Sequence, residues 1–280
     1  MSHVLHLGHQ PTDVSGVAGL MSTAAAGFDP ALDVNGVRFV GSSSLALSFA
    51  AAHRAPLGDL WLGFRYVPPN SDAHGINQTS ASFLEFHDAS GAMMARVRPL
   101  ASDDRYHAEA LGDATVQGAS SYIAPSGQPQ WIDVRLAVGA EITIEFFVDG
   151  VLRSAAAAPN AAGKGKPVLT VFANRGLHDS SSSRTWYYAH IAILDGVSTI
   201  GRRFARRTPD TVATYAEMTG ALDALKDEDV ATRVTSGAPG QRLSFSLAGP
   251  NGPDGSVIAG VHLKAIAQGG VEGPQALAGF

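Results

Sequence analysis

An all-β sandwich of two sheets, of the jelly-roll kind, is the fold class this sequence predicts. Three observations carry that expectation. Short runs of alternating apolar and polar residues recur roughly every ten to fifteen residues, with turn chemistry between them. The 31 glycines and 15 prolines supply the turns that such short strands need. Only one stretch, around Tyr215 to Lys226, reads as a short helix.

The first 36 residues are rich in small side chains ("GVAGLMSTAAAGFDPALDVNG") and read as an N-terminal arm. After the Asn35-Gly36 turn signal the rhythm sharpens in "VRFVGSSSLALSFAA". "DLWLGFRYVPP" is a strand stopped by two prolines. "ASFLEFHDASGAMMARVRPL" gives two strands around Asp88-Ala89-Ser90-Gly91, and Asp88 suits an Asx turn there. "DRYHAEAL", "ATVQGASSYIAP", "KPVLTVFANRG" and "TWYYAHIAILDG" complete the series. The Trp61 and Trp131 rings are expected in the core.

Between them lies the clearest hairpin, "WIDVRLAVGAEITIEFFVDGVLRSA". Ile132, Val134, Leu136 and Val138 alternate on one strand, and Ile142, Ile144, Phe146 and Val148 on the next. Gly139-Ala140 reads as a two-residue type II′ turn that sets Val138 opposite Glu141, with both apolar rows on the core face. Each such side chain is worth roughly 1.5–3 kcal/mol when buried, so eight of them hold the register.

Past Gly196 the texture changes, and a soft boundary near residue 200 gives residues 37–200 to the sandwich. Residues 201–280 form a smaller C-terminal β-rich region, with "TRVTSGAPGQRLSFSLAG" and "SVIAGVHLKAIAQ" as strands and an extended tail.

Composition excludes several function classes. The net charge is −5 with no broad basic field, so nucleic acid is not an expected partner. Cysteine is absent, which removes disulfides and thiolate metal sites. No signal peptide and no 18-residue apolar run is visible, so no membrane-spanning helix is expected. The common hydrolase, P-loop and dinucleotide motifs do not occur, and "NAAGKGKP" reads as a flexible sandwich loop. No cofactor and no metal is expected.

"WIDVRL" followed by "EITIEFFVDGVL" resembles the central signature of concanavalin A-like and laminin-G-like jelly rolls: a Trp-led strand, a tight turn, and a strand ending in Val-Asp-Gly. The downstream "WYYAHIAILDG", "IGRRFARRTPD", "DEDVATRVTSGAPGQRLSFSLAG" and "IAGVHLKAIAQ" resemble a class of bacteriophage and gene-transfer-agent virion proteins. His190 stands where many members have an acidic residue. The resemblance covers most of residues 37 to 270. It implies a structural virion component (head spike, head fibre or tail-tip attachment protein) assembled in the host cytoplasm and located on the virion. Other virion proteins, copies of itself and host-surface polysaccharide are the implied partners, and the implied protein is not an enzyme.

Several residues are candidates for chemistry. Glu141, Thr143 and Glu145 resemble the acidic row of laminarinase-type glucanases of the same broad fold, which makes a glycoside hydrolase or depolymerase the alternative function. The middle acid is replaced by Thr143, and i and i+4 on one strand face lie roughly 13–14 Å apart, so a solvated strand face is the reading kept. Glu85 and Asp88 are a second acidic pair, beside His87. His3, His6 and His9 are spaced for a metal only on a helix, which Gly8 and Pro11 oppose. His74, His107 and His178 take loop or surface roles.

For a glycan the useful stretch is the polar loop Asn174–Thr185 and the aromatics after it. Arg175, His178, Asp179 and Arg184 offer hydrogen bonds to hydroxyls, and Trp186 and Tyr187 offer rings for stacking. Parity requires at least one of Trp186 and Tyr188 in the core. The cluster Arg202, Arg203, Arg206 and Arg207 is read as salt bridging to a neighbouring subunit in a symmetric oligomer, with acidic sugar as the other use. A free carbohydrate-binding module is the third reading, and it leaves the C-terminal region unexplained.

Overall fold

The computed structural model of the chain describes residues 3–16, 21–29, 31–32, 34–41, 48–67, 82–100, 105–122, 128–175, 184–226, 233–238 and 240–249. The chain divides into two compact units, Met1–Asp29 with Val34–Phe204, and Pro30–Asp33 with Ala205–Phe280.

The larger unit opens with β1 (Val4–Gly8), β2 (Ser15–Gly16), β3 (Met21–Asp29), β4 (Val34–Gly41) and β5 (Ser48–Ala52). Next come β6 (Leu60–Val67), β7 (Ser82–His87), β8 (Met93–Pro99), β9 (Arg105–Leu111), β10 (Thr115–Gln117) and β11 (Ser121–Tyr122). It closes with β12 (Gln130–Val138), β13 (Glu141–Val148), β14 (Val151–Pro159), β15 (Leu169–Arg175) and β16 (Arg184–Asp195). Among the described residues these strands make two eight-stranded sheets. The first has the order β14-β13-β12-β6-β16-β4-β3, with β1 also on β16. The second has the order β10-β9-β8-β7-β15-β5-β2, with β11 also on β9. The pairings are antiparallel, as expected of a jelly-roll sandwich.

Within the span 1–36 expected to form an arm, the described strands β1, β2 and β3 pair into the sheets. In β1, Leu7 pairs with Ala192, and in β3, Met21 pairs with Phe39. Ala, Gly and Ser give little contrast between a strand's two faces, so a strand written in them shows no alternation. Backbone hydrogen bonding does not need that contrast.

The apolar rows of the hairpin lie in the core as expected, with Ile132, Val134, Ile142, Ile144 and Phe146 fully buried. The turn differs from the expectation. A two-residue turn would set Val138 against Glu141 and bring one strand's apolar row onto the other's polar face. The observed register pairs Val138 with Ile142, one residue further on, and this keeps both rows together. The Gly139 N–H donates to the Glu141 carbonyl at 2.9 Å, and Gly139 does not adopt a positive φ.

The next corner does use a left-handed two-residue turn. Val148 pairs with Val151 across Asp149 and Gly150, whose φ angles are 51° and 76°. Positive φ at both central residues is the type I′ geometry that matches strand twist. Asp149 also accepts the Trp131 N–H on Oδ1 at 2.9 Å. Gly150→Ala is therefore expected to cost about 1–2 kcal/mol, the penalty for a Cβ in this region. Urea unfolding measures it; an unchanged midpoint would refute the turn assignment.

Aromatic rings fill the space between the sheets. Phe49 stacks on Phe172 with centroids 4.9 Å apart, and Tyr188 meets Phe49 edge-on at 5.1 Å. Phe83 bridges Tyr66 and Tyr106 at 5.1 and 5.3 Å. Trp61 and Trp131 are not in this core. Their odd positions beside Leu60, Leu62 and Ile132 turn them to the outer face of the first sheet, where both are half-buried.

The smaller unit contains β17 (Thr208–Ala216) paired with β18 (Leu243–Ala248). The helix expected around Tyr215 to Lys226 is absent. Tyr215 belongs to β17, and only Leu222–Leu225 form a single 3-10 turn. Gly220, with φ of 132°, separates the two and stops any continuous helix. The expected strand "SVIAGVHLKAIAQ" and the tail lie outside the described residues.

Candidate functional site

The strands β7, β8 and β9 each place charged side chains on the outer face of the second sheet. In β8, Ala95 and Val97 point into the core, so Arg96 and Arg98 point out. In β9, Tyr106, Ala108 and Ala110 are core residues, which turns His107 and Glu109 outward. Register then lines them up: Glu85 opposes Arg96, Arg96 opposes Glu109, Glu109 opposes Gln117, and Arg98 opposes His107. Opposite charges facing each other across strands stabilise such a face.

Glu109 is the hub of this row. Its side chain is 0% exposed. Oε2 accepts from Arg96 Nε at 2.5 Å. Oε1 accepts from His107 Nε2 at 2.8 Å, Gln117 Nε2 at 2.9 Å and Arg98 Nη1 at 3.2 Å. Burial alone would raise its pKa, but the His107 and Arg96 hydrogen bonds and the nearby guanidinium charges outweigh it and hold the carboxyl at about 2. A carboxylate held ionised at neutral pH thus gathers two guanidiniums, an imidazole and an amide on one sheet face. Two strands along, Glu85 Oε2 lies 3.1 Å from His87 Nε2.

Flanking turns hold the row in place. Asp88 Oδ1 accepts from the Ser90 N–H and hydroxyl and from the Ala92 N–H, the Asx turn expected there. "NAAGKGKP" is tied down: Asn160 bonds Gly139 and Lys164, and the Lys164 ammonium caps the carbonyls of Met93 and Leu111.

The outer face of the first sheet is covered by the chain itself. Arg203 lies 3.0 Å over the Trp131 ring, and Phe204 packs on His190 at 5.1 Å. His190, at φ 52° beside a bulge in β16, bonds Asp29 at 3.1 Å. Burial pushes its pKa down to about 4, against the pull of Asp29. Burial also raises the Asp133 carboxyl and brings Arg203 down to about 10. Nearer the open edge, Trp61 stacks on Phe147 at 5.9 Å. Arg135 joins Asp59 at 2.8 Å and Glu145 at 3.0 Å, so Glu145 is one end of an ion-pair bridge.

The residues singled out in the sequence fare unevenly. Trp186 is a core residue, 1% exposed and 5.8 Å from Phe39, and it offers no face to a sugar. Its even parity with Tyr188 puts both rings inside, while half-buried Tyr187 faces out opposite Arg38 and Val67. Arg175 and Arg184 end β15 and begin β16, and their side chains lie outside the described residues, as do His178, Asp179 and His74. His107 is no surface residue: it is buried against Glu109. His3 and His6 flank or lie in a strand, and His3 Nδ1 bonds the Asp195 carbonyl at 2.9 Å. Among the described residues no group of three or more His, Cys, Asp or Glu is placed to hold a metal ion. The arginine cluster is dispersed: Arg202 bonds the Ser198 carbonyl, Arg203 covers Trp131, and Arg206 bonds the Lys226 carbonyl.

No known family matches the sequence, and no curated protein matches it either. Solved structures do match the fold. An alginate lyase in complex with an alginate trisaccharide aligns at TM-score 0.50 and 8% identity, over 70% of this chain and 100% of that one. A botulinum neurotoxin type C structure aligns at TM-score 0.48 and 9% identity, over 69% of this chain and 47% of that one. The cellulose-induced protein Cip1 aligns at TM-score 0.45 and 15% identity, over 66% and 91%. This chain thus spans about half the length of the neurotoxin chain. The likeness is one of fold, an antiparallel lectin-like jelly-roll sandwich.

Proposed function

We propose that this chain is a non-enzymatic glycan-binding jelly-roll protein, carried as a spike, fibre or tail-tip appendage on the virion of a tailed phage or gene transfer agent. The observation that carries the binding site is the row Arg96, Arg98, His107 and Gln117 ordered around Glu109 on one sheet face. Planar hydrogen-bonding groups held rigid by one another are what hydroxyl-rich ligands need, because little side-chain freedom is lost on binding. A sugar occupies the same general fold in the alginate lyase, which supports glycan as the ligand class.

Two features support a binding rather than a catalytic role. A general acid needs a raised pKa, whereas Glu109 is held at about 2. Glu145, in the row that resembles glucanases, is engaged by Arg135. The virion setting rests on the sequence resemblance in "WYYAHIAILDG" and the segments after it, and it brings other virion proteins and further copies of the chain as partners.

Two measurements test the proposal. Mass spectrometry of purified particles should find the chain at structural stoichiometry; its absence would remove the virion reading. Incubation with host-surface polysaccharide should give retention without release of reducing ends. Release that Glu145→Gln abolishes would establish an enzyme instead.

A further inference from the structure

The last residues of the larger unit, 198–204, cross the outer face of its first sheet and grip it by three side chains. Buried Thr199 sits over Gly63, where a Cβ would come within 2.6 Å of the Thr199 Cβ. Arg203 lies on the Trp131 ring, and Phe204 lies on His190. The segment's own hydrogen bonds are local. The Arg202 N–H donates to the Thr199 carbonyl, Arg202 Nε to the Ser198 carbonyl, and the Ile200 N–H to the Ser198 hydroxyl. Side-chain packing is therefore what holds this strap down.

His190 is the titratable group beneath it. Its ring is buried, 5.3 Å from Trp131 and 5.1 Å from Phe204. Nε2 bonds Asp29 at 3.1 Å, while Nδ1 is buried with no hydrogen-bond partner, so the imidazolium would hold an unpaired N–H there. The charges facing the ring are Asp29 from β3, Arg65 from β6 and Arg203 from the strap, two cations against one anion. Asp133 and Asp149 bear on Arg203, and His9 meets Phe204 at 6.2 Å. Burial above all holds the imidazole at about 4 while the strap is seated; in water it returns to its ordinary 6.5.

We propose that residues 198–204 are an acid-released strap: protonation of His190 lifts them from the first sheet and uncovers Trp131. The lifted state binds a proton that the seated state refuses, so lifting gains as the pH falls from 6.5 towards about 4. Between about pH 7.5 and about pH 5, His190 alone raises the lifted-to-seated ratio roughly thirtyfold. Asp133, whose carboxyl burial raises in the seated state, works in the opposite sense and makes that figure a ceiling. Hydrogen exchange of the full chain at these two pH values, corrected for the intrinsic effect of pH, tests the strap amides against those of β6 and β12. Protection of residues 200–204 is expected to fall several-fold at the lower pH while β6 and β12 keep theirs. His190→Asn does not titrate and tolerates the left-handed backbone at φ 52°, so it should abolish the fall. Gly63→Ala, which displaces Thr199, should leave the strap unprotected at both pH values. Equal protection at both pH values in the parent overturns the proposal, as does a fall shared by β6 and β12. A fall of the same size in folded His190→Asn, which assigns the proton to another group, or a protected strap in Gly63→Ala, overturns it too. Should His190→Asn not fold, the parent's own His190 ring decides: a ring that titrates while the strap stays protected overturns the proposal, and a ring that titrates together with the loss of protection supports it.

Discussion

Glu109→Gln is expected to destabilise the larger unit by about 3 kcal/mol at neutral pH. The variant is nearly isosteric, so packing is conserved and the loss is electrostatic. Arg96 and Arg98, 19% and 16% exposed, are left beside a neutral amide, and one amide oxygen replaces two carboxylate oxygens that take four hydrogen bonds. The magnitude follows from the displacement of the carboxyl from 4.5 to about 2, at about 1.4 kcal/mol per unit. The folded pKa is the depressed one. The contribution is therefore complete above pH 4.5, declines below it, and is gone once the pH falls through about 2. Urea unfolding of both proteins across that range should show their stability difference shrinking as the pH is lowered. A difference that stays constant with pH, or one near zero at pH 7, would mean that the network does not hold the carboxylate as described.

Asp195→Ala is expected to cost about 2–3 kcal/mol, from the loss of charge-assisted bonds at a single buried carboxylate. Asp195 closes the "ILDG" segment of β16. Its Oδ2 accepts from Arg54 and from the Leu57 N–H, both at 3.0 Å, and its Oδ1 from the Gly58 N–H at 2.8 Å. Gly196 turns the chain away at φ 68° and bonds the Asp59 carbonyl. The loop before β6 is thereby pinned to the end of β16. Burial works against the charge, but the Leu57 and Gly58 amides and Arg54 lower the carboxyl below its ordinary 3.8. This contribution is present above that ordinary value and is lost as the pH falls below it. Asp195→Asn should retain part of the stability at pH 7. Faster hydrogen exchange at Leu57 and Gly58 in the Ala variant is the local signature, and unchanged exchange there would refute the assignment.

Where side chains contrast strongly, the sequence is a reliable guide to the fold. Ile142, Ile144, Phe146 and Val148 against Glu141, Thr143 and Glu145 leave one face for the core, and the structure buries that face. The Val-Asp-Gly corner is legible because few residue pairs accept positive φ twice. The first strands escape detection because "MSTAAAGF" has no contrast to show. The site is half legible. "MMARVRPL" and "RYHAEAL" each carry two charged or titratable residues at spacing two between core positions, a mark of an outward polar face. What the sequence withholds is register: only strand pairing shows that Arg96 meets Glu109 and Arg98 meets His107. The aromatic run at Trp186 misleads for the same reason, since its face depends on which sheet β16 joins.

The proposed glycan site lies on the outer face of the second sheet. Amide and arginine side-chain resonances recorded while the protein is saturated with a host-surface oligosaccharide test this most directly. Shifts concentrated at Arg96, Arg98, His107, Glu109 and Gln117 are the expected result. Shifts confined instead to Trp61, Phe147 and their neighbours on the first sheet, or to the loop before Trp186, would contradict it.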